Sequence, residues 1–170
     1  MTSYIQHPLL KEKAVERRMF QLELASSALQ RSTLVVLPTG LGKTVVALMV
    51  LLARLDRGKI LFMAPTRPLV EQHASFLENV LKDDSIVVSF TGEISPERRK
   101  EMWEEARVIV STPQVVENDL LSRRISLRTA IHCERVNPIC SGSGSGQPQL
   151  LRTTRVVGAQ VSSGMVSPFR

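Results

Sequence analysis

The sequence predicts an α/β fold built around a parallel sheet. Short apolar runs alternate with longer segments whose apolar residues recur every three or four positions, which is the pattern of strands alternating with helices. The run at residues 59–64 is almost entirely apolar, as expected for a strand buried on both faces of a parallel sheet. A glycine-containing turn at residues 38–42 separates another apolar run from a helical pattern. Sheets of this kind bind ligands at the carboxyl ends of their strands, so functional residues are expected there.

The first predicted elements lie on either side of that turn. Residues 11–31 are predicted to form a helix because their apolar residues fall on one stripe. A strand is predicted at residues 33–37, and the helix that begins at Gly42 is expected to end near Asp56. The stripe of the first helix consists of Val15, Met19, Leu22, Ala25 and Leu29.

Three further strands, each followed by a helix, complete the pattern. The clearest helix start is at Ser95, a capping residue followed by Pro96 in the first turn and Glu97 near the positive end of the helix dipole. The strands are predicted at residues 59–64, 86–90 and 107–111, and the helices at about residues 68–81, 96–106 and 113–121.

Length and composition fit one soluble globular domain, with 170 residues of which 43% are apolar. No apolar run reaches the length of a membrane span. The N-terminal residues lack a basic segment followed by an apolar one, so we expect no signal peptide, no membrane partner and a cytoplasmic location. Cys133 and Cys140 have neither the spacing nor the partners of a zinc site and are interpreted as incidental.

The net charge of +6 is concentrated in the last quarter of the chain. Residues 128–170 contain five Arg, no Lys and one acidic residue, Glu134, which leaves 17 Lys and Arg against 15 Asp and Glu in residues 1–127. A strongly basic chain often binds nucleic acid, but here most of the excess lies in a segment without regular apolar spacing. Residues 141–148 have the Ser/Gly composition of a linker, and residues 128–170 are expected to form a disordered tail.

Residues 37–44, Leu-Pro-Thr-Gly-Leu-Gly-Lys-Thr, have the composition of a phosphate-binding loop. Gly40 and Gly42 allow backbone N–H groups to turn toward anionic oxygens, and the following helix adds the positive end of its dipole. Lys43 could reach the β- and γ-phosphates, and the Thr44 hydroxyl could bind Mg²⁺. The usual spacing places a Gly six positions before the Lys, where this chain has a Leu. An ordinary strand–turn–helix with a surface lysine is the alternative, but the flanking strand and helix favour a nucleotide site.

Four other polar segments accompany this loop, one in the predicted first helix and three after predicted strands. They are residues 18–21, 64–73, 91–93 and 111–114. With the loop, their order and spacing resemble the first motor domain of superfamily 2 helicases. The sequence is most similar to the Hef type, the archaeal helicase-associated endonuclease for fork-structured DNA, which is related to the Fanconi anaemia M protein. The resemblance covers residues 4–127 and includes the opening Tyr-Ile-Gln-His-Pro-Leu-Leu of residues 4–10.

The resemblance implies a RecA-like, three-layer P-loop fold, incomplete in this chain, and an ATP-dependent DNA helicase that acts in DNA repair. Gln21 would read the adenine edge, because its amide presents a donor and an acceptor side by side. Lys43 and Thr44 would be the catalytic residues of the loop, with Thr44 on Mg²⁺. The implied ATP-binding residues are Arg18, Gln21, Pro38, Thr39, Gly40, Leu41, Gly42, Lys43 and Thr44.

The strand-end segments would hold the backbone of single-stranded or forked DNA. Short hydroxyls, loop N–H groups and a cation suit phosphates and carry no base code. Helix capping is the alternative for Ser111 and Thr112. We expect His73 on a helix surface and Trp103 in packing, not as a ligand and a base-stacking platform. The implied nucleic-acid residues are Thr66, Arg67, Thr91, Gly92, Ser111, Thr112 and Gln114.

The sequence departs from the family pattern after residue 127. Hydrolysis needs an acidic pair at the end of an apolar strand, one carboxylate for Mg²⁺ and one for the attacking water, and the family supplies it as Asp-Glu-Ala-His. Residues 131–141 read Ile-His-Cys-Glu-Arg-Val-Asn-Pro-Ile-Cys-Ser, with no acidic pair and no predicted strand. The second motor domain and its arginine finger are also missing from these residues. A frameshift or truncation near residue 127 would explain why Lys and nearly all acids disappear there.

Three hypotheses follow. The first is the ATP-binding half of a Hef-type DNA helicase or translocase that does not hydrolyse ATP by itself. The second is a non-catalytic fragment that binds nucleotide or DNA weakly, or does not fold. The third, a small kinase or transporter ATPase, is disfavoured by the strand-end segments. In the first two, the strand at residues 33–37 is expected to have an unpaired apolar edge.

Overall fold

The computed structural model describes residues 3–127 and 130–135 and confirms the α/β fold with a parallel sheet. Strands and helices alternate from residue 59 onward, as the sequence predicts. The helices are α1 (Met19–Gln30), α2 (Lys43–Arg54), α3 (Arg67–Val80), α4 (Pro96–Glu105) and α5 (Pro113–Leu121). The strands are β1 (Lys59–Met63), β2 (Val87–Phe90), β3 (Val108–Ser111) and β4 (Ala130–Arg135).

The four strands are parallel and lie in the order β2-β3-β1-β4. The register aligns the ends of three neighbouring strands: Met63 of β1 is opposite Ser111 of β3, which is opposite Phe90 of β2. Their carboxyl ends therefore form one continuous edge, and the loops that follow them start side by side.

Alternating residues of the strands enter two separate cores, one on each face of the sheet. Ile60 and Phe62 pack in a core with buried residues of α2 and α3. Leu61 and Met63 pack on the other face with Trp103 of α4 and residues of α5. Helices on both faces of the sheet make the three-layer arrangement that the resemblance implied. No helix in the described part of the chain is both long and apolar enough to cross a bilayer.

The first helix begins later than the sequence predicts. The structure places residues 11–18 in an irregular segment, in which Lys11 N–H donates to Val80 O and Ile5 N–H donates to Val15 O. Val15 is buried there, but Met19 of the predicted stripe is 62% exposed. The prediction fails because contacts with distant parts of the chain outweigh a helical apolar pattern.

The predicted strand at residues 33–37 is absent from the structure. Val35 and Leu37 pack partly against the core, while Leu34 and Val36 are 84% and 65% exposed, so the side chains alternate as in a strand. No backbone hydrogen bond in the described residues joins this segment to a neighbour. The two neighbours of β1 in the sheet are β3 and β4, and residues 33–37 are not a strand of this sheet.

The prediction of no strand after residue 127 is wrong for Ala130–Arg135. This segment is β4 and pairs in parallel with β1, with Glu134 opposite Phe62 and Arg135 opposite Met63. Its sequence mixes polar and apolar residues, so the backbone pairing with β1 forms a strand that composition alone does not indicate. The predicted disorder of residues 136–170 lies outside the described residues.

Candidate ATP and nucleic-acid site

The phosphate-binding loop turns on two glycines with left-handed backbone. Gly40 has φ of 87° and Gly42 has φ of 78°, conformations that favour glycine. A Cβ on Gly42 would lie 2.4 Å from Gln21 Nε2, so the second glycine also allows the loop to approach α1. A Cβ on Gly40 would meet nothing within 4 Å, so the space beside this glycine is open. α2 begins directly after the loop, at Lys43.

The Lys43 ammonium is held by backbone oxygens of its own loop. Nζ donates to Leu37 O at 2.7 Å and to Pro38 O at 3.2 Å. Leu37, at the position of the usual first glycine, therefore helps to hold the Lys43 ammonium through its backbone carbonyl. In the described residues Lys43 has no carboxylate within ion-pair distance, and its charge is available to an anion that reaches the loop.

Gln21 is buried in the site, and only one end of its side-chain amide is hydrogen-bonded. It is 3% exposed, and its Nε2 donates to Leu41 O at 2.9 Å. Its Oε1 is buried without a hydrogen-bond partner among the described residues. An unpaired buried acceptor costs about 1–3 kcal/mol, which a ligand N–H donor would recover.

A cleft of about 160 Å³ joins Gln21 to the loop. Arg18, predicted in the same motif, lines it and donates to Glu16 through Nε at 3.2 Å and Nη2 at 3.0 Å. Sequence reasoning missed three lining residues, Val15, Glu16 and Val45, because nothing in their local pattern marks a ligand site. The remaining lining residues are Gly40 and Gly42.

The structure brings most of the predicted ATP residues together. Arg18 and Gln21 face the same cleft as Gly40 and Gly42, and Lys43 lies at the start of α2 beside them. The other predicted residues belong to the loop itself: Pro38, Thr39 and Leu41 are exposed, and Thr44 is half-buried in the first turn of α2.

The predicted nucleic-acid residues lie along the common edge formed by the strand ends. Thr66 and Arg67 follow β1 and are exposed. After β2, Thr91 is half-buried and Gly92 is exposed. After β3, Thr112 is half-buried and Gln114 is exposed. Thr112 makes no side-chain capping bond to α5, so the capping alternative has no support there.

Ser111 differs from the other members of this set. It is fully buried in β3, and its hydroxyl lies 3.2 Å from both Phe90 O and Thr112 O, so these two carbonyls share its single proton. Its hydroxyl therefore stabilises the ends of β2 and β3 and is not presented to a ligand in this structure.

Arg67 is held by two carboxylates from different elements. Its Nε donates to Glu71 Oε1 at 2.8 Å, one turn further along α3, and its Nη1 donates to Glu93 in the turn after β2. The hydrogen bond with Glu71, and to a lesser extent the one with Glu93, raises the pKa of Arg67, so its guanidinium stays charged. Sequence reasoning named Arg67 but not its two partners.

A buried ion pair supports the same edge and was not predicted. Arg99 of α4 donates to Asp119 of α5 through Nε at 2.6 Å and Nη2 at 2.7 Å. Its Nη1 donates to the carbonyls of Thr91 and Ile94 in the turn after β2. The side chains are 7% and 0% exposed. The hydrogen bond with Asp119 is the main cause that raises the pKa of Arg99.

The histidine and tryptophan predictions have opposite outcomes. The prediction that His73 lies on a helix surface is wrong. It is 6% exposed, its ring centroid lies 5.2 Å from that of Phe62, and its buried Nε2 has no hydrogen-bond partner in the described residues. Burial lowers the pKa of His73. Trp103 packs as predicted, 2% exposed and 6.3 Å from the Phe90 ring.

The end of β4 differs from the acidic pair expected at a site of ATP hydrolysis. Because β4 pairs with β1, Glu134 and Arg135 occupy the carboxyl end of a sheet strand. Glu134 is the only acidic residue after Asp119. At this end of β4 the single acidic residue is followed by Arg, so residues 134–135 do not form an acidic pair. The described residues contain no group of His, Cys, Asp and Glu arranged to hold a metal ion.

Comparison with known proteins adds independent findings. The family model described as DEAD/DEAH box helicase matches residues 18–136, which extends beyond the boundary predicted at residue 127. A Methanocaldococcus jannaschii protein named as an ATP-dependent RNA helicase is 44% identical over 127 residues, covering 73% of this chain and 16% of that protein. The Drosophila melanogaster DEAD-box ATP-dependent DNA helicase Fancm is 44% identical over 108 residues, covering 61% of this chain and 7% of that protein.

A solved structure agrees in fold. The Pyrococcus furiosus Hef helicase domain matches with a TM-score of 0.71 and 41% identity, over 75% of this chain and 28% of that chain. The chain thus spans less than a third of the solved helicase domain and a smaller share of the relatives it matches.

Proposed function

The chain belongs to the DEAD/DEAH box helicase family, and from this premise we propose that its described part is the ATP-binding half of a Hef-type DNA helicase or translocase. Such a motor uses ATP to move on DNA during repair and replication-fork processing. These residues are proposed to bind ATP and DNA. Movement on DNA requires further parts of the motor, because this chain spans only a fraction of the length of its relatives.

One observation carries the ATP proposal: a buried amide acceptor and a phosphate-type loop share one cleft. Gln21 Oε1 lacks a partner in the described residues, while Gln21 Nε2 is bonded to the loop at Leu41 O. Adenine presents an exocyclic N–H donor, which suits the unpaired oxygen. The donor set therefore fits the base and phosphates of ATP.

The remaining roles follow from side-chain chemistry. Lys43 would exchange the carbonyls of Leu37 and Pro38 for phosphate oxygens, a stronger charge-assisted interaction. Thr44 would contribute its hydroxyl to Mg²⁺, which supplies charge neutralisation for the phosphates when bound. Arg18 would border the base, because it lines the same cleft.

For the nucleic acid, we propose contact through the sugar–phosphate backbone at the strand-end edge. Its members offer hydroxyls, amide groups and the Arg67 cation, which bind phosphates without reading bases. Thr66, Arg67, Thr91, Gly92, Thr112 and Gln114 are partly or fully exposed there. The names of the relatives differ on DNA and RNA, and the likeness to the Hef domain and to Fancm favours DNA.

We further propose that these 170 residues bind ATP without turning it over. Residues 128–170 lack the acidic pair that hydrolysis requires, although β4 supplies a strand beside β1. A frameshift near residue 127 is the simplest cause of the change in composition. Translating the coding DNA of residues 128–170 in the other two frames tests this explanation. If neither frame encodes an apolar run followed by Asp-Glu-Ala-His, the frameshift hypothesis is wrong.

Base selectivity tests the role of Gln21. We expect the wild-type chain to bind ATP at least about tenfold more tightly than GTP in competition with a fluorescent nucleotide, about the value of one well-made hydrogen bond. Gln21→Ala should remove this preference, and Gln30→Ala, at the exposed end of the same helix, should keep it. Equal selectivity in all three proteins would contradict the assignment.

Phosphate release, measured with and without forked DNA, tests the absence of hydrolysis. We expect no turnover above background. Turnover that disappears in Lys43→Ala would overturn the non-catalytic part of the proposal. Competition of DNA and RNA of one sequence for the chain tests the nucleic acid, and a preference for RNA would contradict the DNA assignment.

A further inference from the structure

We propose that Glu93 is a positioning residue that holds Arg67 in a carboxylate clamp and thereby lowers the affinity of the strand-end edge for a nucleic-acid backbone. This inference rests on the proposed function, because it concerns how that backbone reaches Arg67. It assigns to Glu93 an opposing role: it competes with phosphate for the same cation.

The clamp joins two neighbouring loops of the edge. Arg67 is the first residue of α3, directly after the loop that follows β1, and Glu93 lies in the turn that follows β2. Arg67 Nη1 donates to Glu93, and Arg67 Nε donates to Glu71 Oε1 at 2.8 Å. Two of the five guanidinium donors are thus directed at carboxylates.

The charge of the clamp opposes an incoming phosphate. One cation and two carboxylates give this cluster a net charge of −1, although Arg67 is the cation predicted to bind the backbone. The three side chains are 51%, 54% and 68% exposed, so a phosphate can approach them from solvent. To gain the full interaction, it must displace a carboxylate or accept a negative charge beside it.

Glu93, more than Glu71, controls this competition. Glu71 lies at i+4 from Arg67 on the same helix, a local pair typical of helix surfaces. Glu93 comes from the neighbouring turn, next to Thr91 and Gly92, which are themselves predicted to contact the backbone. Arg99 bonds to the carbonyls of Thr91 and Ile94 on both sides of Glu93, so the buried ion pair fixes the turn that presents this carboxylate.

The test is DNA binding of the 170-residue chain by fluorescence anisotropy, with a labelled single-stranded oligonucleotide at several salt concentrations. Glu93→Gln should bind about two- to fivefold more tightly than wild type, the range expected for releasing one exposed ion pair. If Arg67 gains a phosphate contact, the slope of log affinity against log salt should steepen by about 0.7. Glu101→Gln, which frees Arg98 on α4 from a similar exposed pair, is the charge-matched control and should have a smaller effect.

An Arg67→Ala background separates the clamp from a general effect of charge. There Glu93→Gln should give no gain, because no cation is left to release. A gain of the same size with and without Arg67, or no gain in the wild-type background, would overturn the inference while DNA binding by the wild type leaves the proposed function standing. No DNA binding by any variant at low salt would overturn both.

Discussion

The buried pair of Arg99 and Asp119 offers the sharpest test of how the strand-end edge is held together. Both side chains are almost inaccessible, at 7% and 0%, and they form two parallel N–H···O bonds of 2.6 and 2.7 Å. The perturbation is to break the pair from either side, with Arg99→Met or Asp119→Leu, and then to replace both residues at once. Met is close to Arg in volume, Leu is somewhat larger than Asp, and neither carries a charge.

The expected magnitudes follow from leaving one buried charge alone. Each single substitution should lower the free energy of unfolding by about 3–5 kcal/mol, because the remaining ion loses its partner and cannot reach water. The double substitution removes both charges and should cost far less, about 0–2 kcal/mol. Part of that cost comes from the carbonyls of Thr91 and Ile94, which lose the Arg99 donor.

The assay is urea unfolding followed by the fluorescence of Trp103, the only tryptophan, which is buried next to Phe90. Circular dichroism provides a second probe, and coincident transitions justify a two-state free energy. The matched control is the exposed pair of Arg98 and Glu101, for which the same cycle should give a coupling within about 1 kcal/mol. Losses below about 1 kcal/mol in both single variants, or a double variant that equals their sum, would refute the reasoning.

Three further predictions concern the loop, a histidine and the unpaired segment. Gly42→Ala should destabilise the protein by about 1–3 kcal/mol in urea unfolding, because its φ of 78° is strained for alanine and the new Cβ would lie 2.4 Å from Gln21; Gly92→Ala, with open space around it, should cost little, and equal costs would contradict this. Burial lowers the pKa of His73 below its ordinary value of about 6.5, so protons bind more strongly to the unfolded chain and stability should fall as the pH drops from about 6.5 toward the folded pKa. His73→Phe should flatten that fall, and an unchanged pH profile would contradict a buried, neutral His73. Amide hydrogen exchange should be fast at residues 33–37, where the structure gives no backbone partner in its described part, and strong protection there would show a missing strand partner.

The parts of the fold that were predicted are those in which local pattern and tertiary environment agree. β1 is buried from Ile60 to Met63, and these four residues are all apolar, so composition is sufficient. Ser95 accepts from Arg98 N at 3.3 Å as a helix cap, as its sequence context predicts.

Where sequence reasoning failed, partners distant in the sequence decide the conformation. Residues 33–37 have the composition of a strand but are not part of the sheet, whose strands are β2, β3, β1 and β4. β4 has a weak strand pattern but pairs in parallel with β1 along most of its length, with one register shift between Lys59 and Ile60. Apolar periodicity did not distinguish a buried helical histidine from an exposed one at position 73, because neighbouring positions carry both kinds of residue.

The candidate site shows the same division. The loop residues could be named from sequence because glycine, lysine and threonine at this spacing have a definite chemistry. Gln21 was identified only through the family resemblance, and the structure adds that its oxygen is buried and unpaired. The Arg99–Asp119 pair and the clamp on Arg67 join elements 20 and 26 positions apart, which no local pattern reveals.

Calorimetric titration of Mg²⁺–ATP into the 170-residue chain tests the central claim most directly. We expect binding at a single site that Lys43→Ala weakens at least about tenfold, since a charge-assisted hydrogen bond is worth about 1.5–3 kcal/mol. Lys100→Ala, which removes an exposed lysine on α4, should leave the affinity unchanged. Absence of binding by folded wild-type protein, or equal affinity in Lys43→Ala, would contradict the assignment of this loop as an ATP site.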